Sequence, residues 1–218
     1  MSATESTSPP AGGAPSGPSW KSRRAWAVLL TVTILGLLAD LVSKELAFRL
    51  VAGTPVEVRR DDVLAGGPLS RLIPPHDPVV VVPHVLEFTL VLNPGAVFGI
   101  GAGKRWSFIL FTGGAIVFAL WMFVAWTRPR DSWAHAGIAL LLAGGLGNLY
   151  DRLVYGCVRD FIHPLPGVLL PFHWSYPWAH GAAGREVWPY VSNVADLFLI
   201  IGIGVLVAYT WRSGSRRS

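Results

Sequence analysis

The sequence predicts an α-helical integral membrane protein with four transmembrane helices, a small extracytoplasmic β-sheet and a long outer loop. Three observations carry that reading. Of 218 residues, 52% are hydrophobic and only 14% are charged, where a soluble domain carries about 25% charge. The apolar residues gather in four runs, 25–48, 106–127, 132–150 and 190–211, each near the roughly 20 helical residues that cross a hydrocarbon core about 30 Å thick. Basic residues on one side of these runs stand almost unopposed, eight against two acids, while the ten on the other side face eleven acids, an asymmetry that membrane orientation produces.

Residues 1–20 read as a disordered cytoplasmic tail, because 2–19 are almost entirely Ser, Thr, Pro, Gly and Ala with Glu5 as the single charge. Such a segment buries too little apolar surface to offset its ordering entropy. Lys21, Arg23 and Arg24 then precede an apolar run from Ala25 to Ala39, a pattern that also describes a cleavable signal peptide. The run lacks a small-x-small cleavage site, and three further spans need an anchor, so the first span is read as retained. Residues 21–211 form a single membrane domain and 212–218 a basic cytoplasmic tail.

The span 106–127 has no charged residue, and a short connector of Arg128, Pro129, Arg130 and Asp131 leads into 132–150. Four spans put both termini on one side. That side holds eight basic residues (Lys21, Arg23, Arg24, Arg128, Arg130, Arg212, Arg216, Arg217) against Glu5 and Asp131, so it is cytoplasmic by the positive-inside rule. Trp26, Trp126, Trp133 and Trp211 fall at that boundary as an aromatic belt; Trp106, Trp174, Trp178 and Trp188 fall at or beyond the other.

Two segments, 49–105 and 151–189, remain outside. Val79–Val82 and Leu86–Leu92 are β-branched or alternating runs bounded by prolines and predict a small outer sheet. Residues 61–78, rich in Gly, Pro and charge, read as an inserted loop. The function classes narrow as well. The net charge of +5 reflects orientation and not nucleic-acid binding. Cys157 is the single cysteine, and six histidines show no His-Glu-x-x-His, which argues against a disulfide framework and a zinc peptidase. No phosphate loop follows Gly144–Gly147, since no Lys-Ser/Thr is present.

Ionisable groups inside spans are costly and point to function. At 1.5 Å per residue, Asp40 and Asp196 each lie about 22 Å from the cytoplasmic end of their helices, and Asp151 about 27 Å. Three acids on three helices thus share one depth near the outer face. Asn148 precedes Asp151, and Asn193 precedes Asp196, by three residues, and Asp40 and Lys44 stand at i,i+4, so each pair is expected on one helical face. Gly144, Gly145 and Gly147 admit close helix approach. Depth alone pairs Asp196 with Asp151 and leaves Asp160, beside Arg159, as a solvated loop acid. Two facing carboxyls suit acid–base activation of water, one taking a proton while the other donates. An acid pair also serves a proton or ion transporter, although such sites sit near the midplane; a helix-packing scaffold is the third possibility.

Five motifs occur in order: Asp40-x-x-x-Lys44, Asn93-Pro94-Gly95-Ala96-Val97-Phe98-Gly99, Gly144-Gly145-x-Gly147-Asn148-x-x-Asp151-Arg152, Gly156-x-Val158-x-Asp160-Phe161 and Asn193-x-Ala195-Asp196. On a four-span chain they resemble the bacterial lipoprotein signal peptidases, signal peptidase II, over roughly 25–162 and 190–211. The resemblance implies an intramembrane aspartic endopeptidase without metal or cofactor, located in the cytoplasmic (inner) membrane with its active site near the outer face. Its partners would be diacylglyceryl-prolipoproteins and membrane lipid, with no nucleic acid; a monomer satisfies the reading. It also implies that Asp160 and Asp196 form the catalytic dyad, with Asp40, Lys44, Asn93, Gly95, Asn148, Asp151, Arg152, Asn193 and Ala195 binding substrate or supporting the site. Two positions depart from the family pattern: Pro94 stands where Thr is usual, and Ser192 where Phe is usual. The loop between Phe161 and Asn193 is longer than expected and reads as an interfacial segment with aromatic anchors, with a lid or partner-binding insert as the alternative.

Overall fold

A computed structural model of the chain describes residues 17–95, 105–177 and 182–215. Ala96, Val97, Phe98 and Gly99 of the second motif, and Trp178, lie outside the described residues. Four long helices, α1 (Arg23–Leu50), α3 (Arg105–Ala125), α4 (Ser132–Val154) and α5 (Val194–Ser215), assemble into a bundle, and a short α2 (Arg60–Leu64) follows α1. Strands β1 (Val79–Val82), β2 (Leu86–Asn93) and β3 (Val158–Pro164) form one antiparallel sheet in that order.

α4 is the central helix and touches α1, α3 and α5. Its small residues explain why: Ala134, Gly137, Ala139, Ala143, Gly144, Gly145 and Gly147 are buried and let neighbouring backbones approach. By length and composition, Arg23–Leu50, Trp106–Ala125 and Val194–Ser213 are apolar enough to cross a membrane. α4 is less apolar, carrying His135, Asn148, Asp151 and Arg152, and it turns most of these polar groups inward. The outward faces are the reverse: Leu110 and Phe111 of α3 are 73% and 77% exposed, a surface suited to lipid and not to water.

Two apolar cores result. Leu29, Phe123, Ile138, Leu142 and Leu206 fill one end of the bundle. Phe48, Val51, Val56, Val63, Leu90, Leu92, Cys157 and Phe161 fill the other, beneath the sheet. Asp40 and Lys44 fall between Leu29 and Phe48 along α1, so the polar layer is sandwiched between the two cores.

Several expectations change in detail. The third helix continues through Asp151 to Val154, and the fourth begins at Val194, not 190. The segment read as a loop at 61–78 contains most of α2 and a 3-10 turn at Leu69–Leu72; Val63 of α2 is buried in the upper core. The sheet gains a third strand from the second outer segment, so Asp160 is a buried strand residue, 1% exposed, and not a solvated loop acid. The long loop after β3 folds back on itself: Leu170 N donates to Arg185 O at 2.7 Å and Val187 N to Val168 O at 2.7 Å. Ser192, in place of the usual Phe, pairs its backbone with Ile162 of β3.

Candidate active site

The start of α5 organises the site. Asn193 is not on the helix with Asp196; it is the residue just before it and caps it. Its Oδ1 accepts from Asp196 N at 3.1 Å, and Asp196 Oδ2 accepts from Asn193 N at 3.3 Å, a reciprocal capping box. Asp40 of α1 adds a third acceptor, taking Ala195 N at 2.8 Å. Carboxylates are favoured at a helix N-terminus by its dipole. Gly147 makes this approach possible, because a Cβ there would fall on the Asp40 carboxylate.

Below the cap lies an ion-paired tier. Lys44, fully buried, reaches Asp40 Oδ2 at 2.8 Å, Asn148 Oδ1 at 3.0 Å and Asp151 Oδ2 at 3.4 Å. Asp151 also accepts from Arg159 N at 3.0 Å and Arg159 Nη2 at 3.1 Å. The pairing of Asp151 with Asp196 expected from depth is therefore not formed; cations occupy Asp151. Arg159, which the sequence reading passed over, is 4% exposed, reaches Glu45 Oε2 at 3.2 Å and stacks over Tyr155 at 4.1 Å. Its signal was an adjacent cation and acid, Arg159 and Asp160, flanked on both sides by Cys157, Val158, Phe161 and Ile162.

Asp160 and Asp196 are held by amides instead. An ammonium only donates, so Lys44 forces Asn148 to present its oxygen. The Asn148 Nδ2 is then directed at Asp196 Oδ1, 2.8 Å away. Asn93 is oriented by the same logic: its Oδ1 accepts from Gly95 N at 2.9 Å in an Asx turn, leaving Nδ2 for Asp160 Oδ2 at 3.0 Å. Gly95 has φ +94°, and a Cβ would strike Phe108. Because the donor is Gly95 N, Pro94 removes nothing this turn needs. Asn193 Nδ2 donates to Asp160 Oδ1 at 2.5 Å and to Asn148 Oδ1 at 3.2 Å. The two carboxyls thus flank one asparagine, whose side chain holds Asp160 and whose backbone holds Asp196.

The sheet delivers Asp160 to this point. β2 and β3 pair with Asn93 opposite Val158 and Val91 opposite Asp160, so Asn93 and Asp160 lie diagonally on one face. Burial first, then the neighbouring Asp196 charge, pushes the Asp160 carboxyl up to about 7, against the bonds from Asn93 and Asn193. Arg152 donates to Asn148 O at 3.3 Å, lies over Phe108 at 5.5 Å and stands within electrostatic reach of both acids. Cys157 is buried, and burial foremost raises its thiol to about 12, away from the thiolate form. All eleven site residues expected from the resemblance meet in this one network.

The sequence matches the family model for signal peptidase (SPase) II over residues 32–212. The chain belongs to the signal peptidase II family. It is a lipoprotein signal peptidase, and so an aspartic endopeptidase with transmembrane helices. A lipoprotein signal peptidase from Syntrophotalea carbinolica is 33% identical over 172 residues, spanning 78% of this chain and 95% of that one. Another, from Mycolicibacterium smegmatis, is 31% identical over 186 residues, 85% of this chain and 62% of its own. A bacterial membrane enzyme solved by the in meso method at 2.3 Å shares the fold, with a TM-score of 0.60, 22% identity and coverage of 88% and 92% of the two chains.

Proposed function

We propose that the chain hydrolyses the peptide bond before the diacylglyceryl-modified lipobox cysteine of prolipoproteins, with Asp160 and Asp196 as its catalytic dyad. The observation that carries this is the shared asparagine: Asn193 holds both carboxyls at the N-terminus of α5 without neutralising either. Two carboxyls held this close cannot both ionise cheaply, which leaves one proton for the dyad. Asp160, buried and raised to about 7, carries it; Asp196, less buried, is the base.

In the reaction Asp196 removes a proton from water as the water oxygen attacks the scissile carbonyl carbon. Asp160 gives its proton to the carbonyl oxygen, forming the tetrahedral diol. Collapse breaks the C–N bond; Asp196 delivers its proton to the departing cysteine amine, and Asp160 regains one from the diol. Asn148, Asn93 and Asn193 keep both carboxyls aimed, and Arg152 stands within electrostatic reach of both.

All four long helices cross the membrane in this reading, both termini lie in the cytoplasm, and the sheet stands on the outer side of the inner membrane. The site then meets the cleavage point at the outer boundary while the acyl chains stay in lipid. Cleavage of a diacylglyceryl prolipoprotein by purified protein, wild type beside Asp196→Asn, tests it: a mobility shift with wild type alone is expected, and equal cleavage by both proteins would remove Asp196 from the mechanism.

A further inference from the structure

The end of the bundle opposite the acids carries two adjoining basic cavities that the reaction does not use. One, about 530 Å³, opens between the start of α4 and the last turns of α5, with Arg130, Ser132, Trp133, Val205, Tyr209 and Arg212 in its wall. The second, about 460 Å³, is lined by Lys21, Arg24 and again Arg130. Arg130 and Arg212 form no ion pair among the described residues. Ser132 Oγ is shielded from solvent, yet it has no hydrogen-bond partner among them. Asp131 also borders the first cavity, but it is engaged within the protein, accepting from Arg128 N at 2.8 Å and bonded to the Tyr209 hydroxyl.

The chemistry of this wall is specific. Two guanidinium forks line the cavity where α4 begins, a set that matches phosphate oxygens. Val205 and Ala208 give the same cavity an apolar side, which a free inorganic anion would not use. Trp133 and Trp211, 72% and 80% exposed, mark this level as a membrane–water interface. Basic pockets between helices at that level suit anionic lipid head groups.

We propose that this cavity binds the phosphate of an anionic phospholipid. Arg130 and Arg212 hold the phosphate, and the acyl chains descend along the α4–α5 surface past Ala208 and Val205. The site stands apart from the dyad and secures the α4–α5 pair, whose other ends supply Asn148 and Asp196.

Native mass spectrometry of the full chain, released from micelles containing equal phosphatidylglycerol and phosphatidylcholine of the same acyl chains, tests this. Wild type is expected to retain phosphatidylglycerol about tenfold over phosphatidylcholine, and the R130Q/R212Q double variant to approach parity. R59Q/R71Q removes the same charge from exposed positions elsewhere and is expected to keep the preference. Parity in wild type, equal loss in both double variants, or full displacement of the lipid by millimolar inorganic phosphate would overturn the proposal. Prolipoprotein cleavage in phosphatidylcholine, expected to be unchanged in R130Q/R212Q, keeps the result independent of the dyad assignment.

Discussion

Four carboxyl groups share one buried layer, and their partners divide them into two pairs. Asp40 and Asp151 face cations: Lys44 reaches both, and Arg159 adds a two-oxygen grip on Asp151. Asp160 and Asp196 face amides: Asn93 and Asn193 on one, Asn148 and Asn193 on the other. A buried cation fixes a carboxylate as an anion, because protonating it strands a charge in low dielectric. An amide orients a carboxyl in either protonation state, since it brings dipoles and no net charge. The first pair is therefore suited to structure and the second to proton exchange, although all four acids lie at one depth.

The sharpest way to break this contrast is to remove one carboxylate from each pair. Asp160→Asn or Asp196→Asn is expected to lower kcat by at least about 10³-fold with the protein still folded. Asp151→Asn is expected to act on stability, since it leaves Lys44 and Arg159 short of an anion; a loss of about 3–5 kcal/mol is read from thermal unfolding in detergent, with measurable cleavage retained below the transition. Complete inactivity of well-folded Asp151→Asn would place that acid among the catalytic groups. Asn148→Leu sits between the tiers, deleting the donor to Asp196 and an acceptor for Lys44, and is expected to cost about 10²-fold in kcat.

A pH profile sharpens the same contrast. The proposed acid Asp160 must hold its proton, and burial with the Asp196 charge raises it to about 7, so cleavage is expected to fall as pH rises through that value. The folded state binds this proton more tightly than the unfolded chain, whose value is the ordinary 3.8. Its contribution to stability is thus complete below about pH 4 and is lost as pH rises toward 7. A cleavage rate flat from pH 6 to 8 would count against Asp160 as the acid. The smallest effect is expected outside both tiers, at His163, which lies 2.8 Å from Glu87 and 3.4 Å from Glu186. His163→Gln should loosen the folded-back outer loop by less than about 1 kcal/mol, seen as faster proteolysis within 165–190, with kcat unchanged.

The common depth of Asp40, Asp151 and Asp196 is legible from chain position alone, because a fixed rise per helical residue converts position into height. The Asp40–Lys44 pair and the first two strands are legible in the same way, since they depend on local spacing. Family resemblance, and not spacing, pointed to Asp160. Which acids meet depends on how the helices and the sheet pack, since height says nothing about rotation around the bundle. Asp160 reaches the layer through a β2–β3 register joining residues nearly seventy positions apart. Arg159 becomes a buried partner of Asp151 only once that strand is placed. Asn193 acts as a cap because α5 starts at Val194, where Asp40 on a distant helix also accepts the Ala195 amide. Local periodicity encodes what a helix or strand can present; partners brought from elsewhere in the chain fix what each carboxyl becomes.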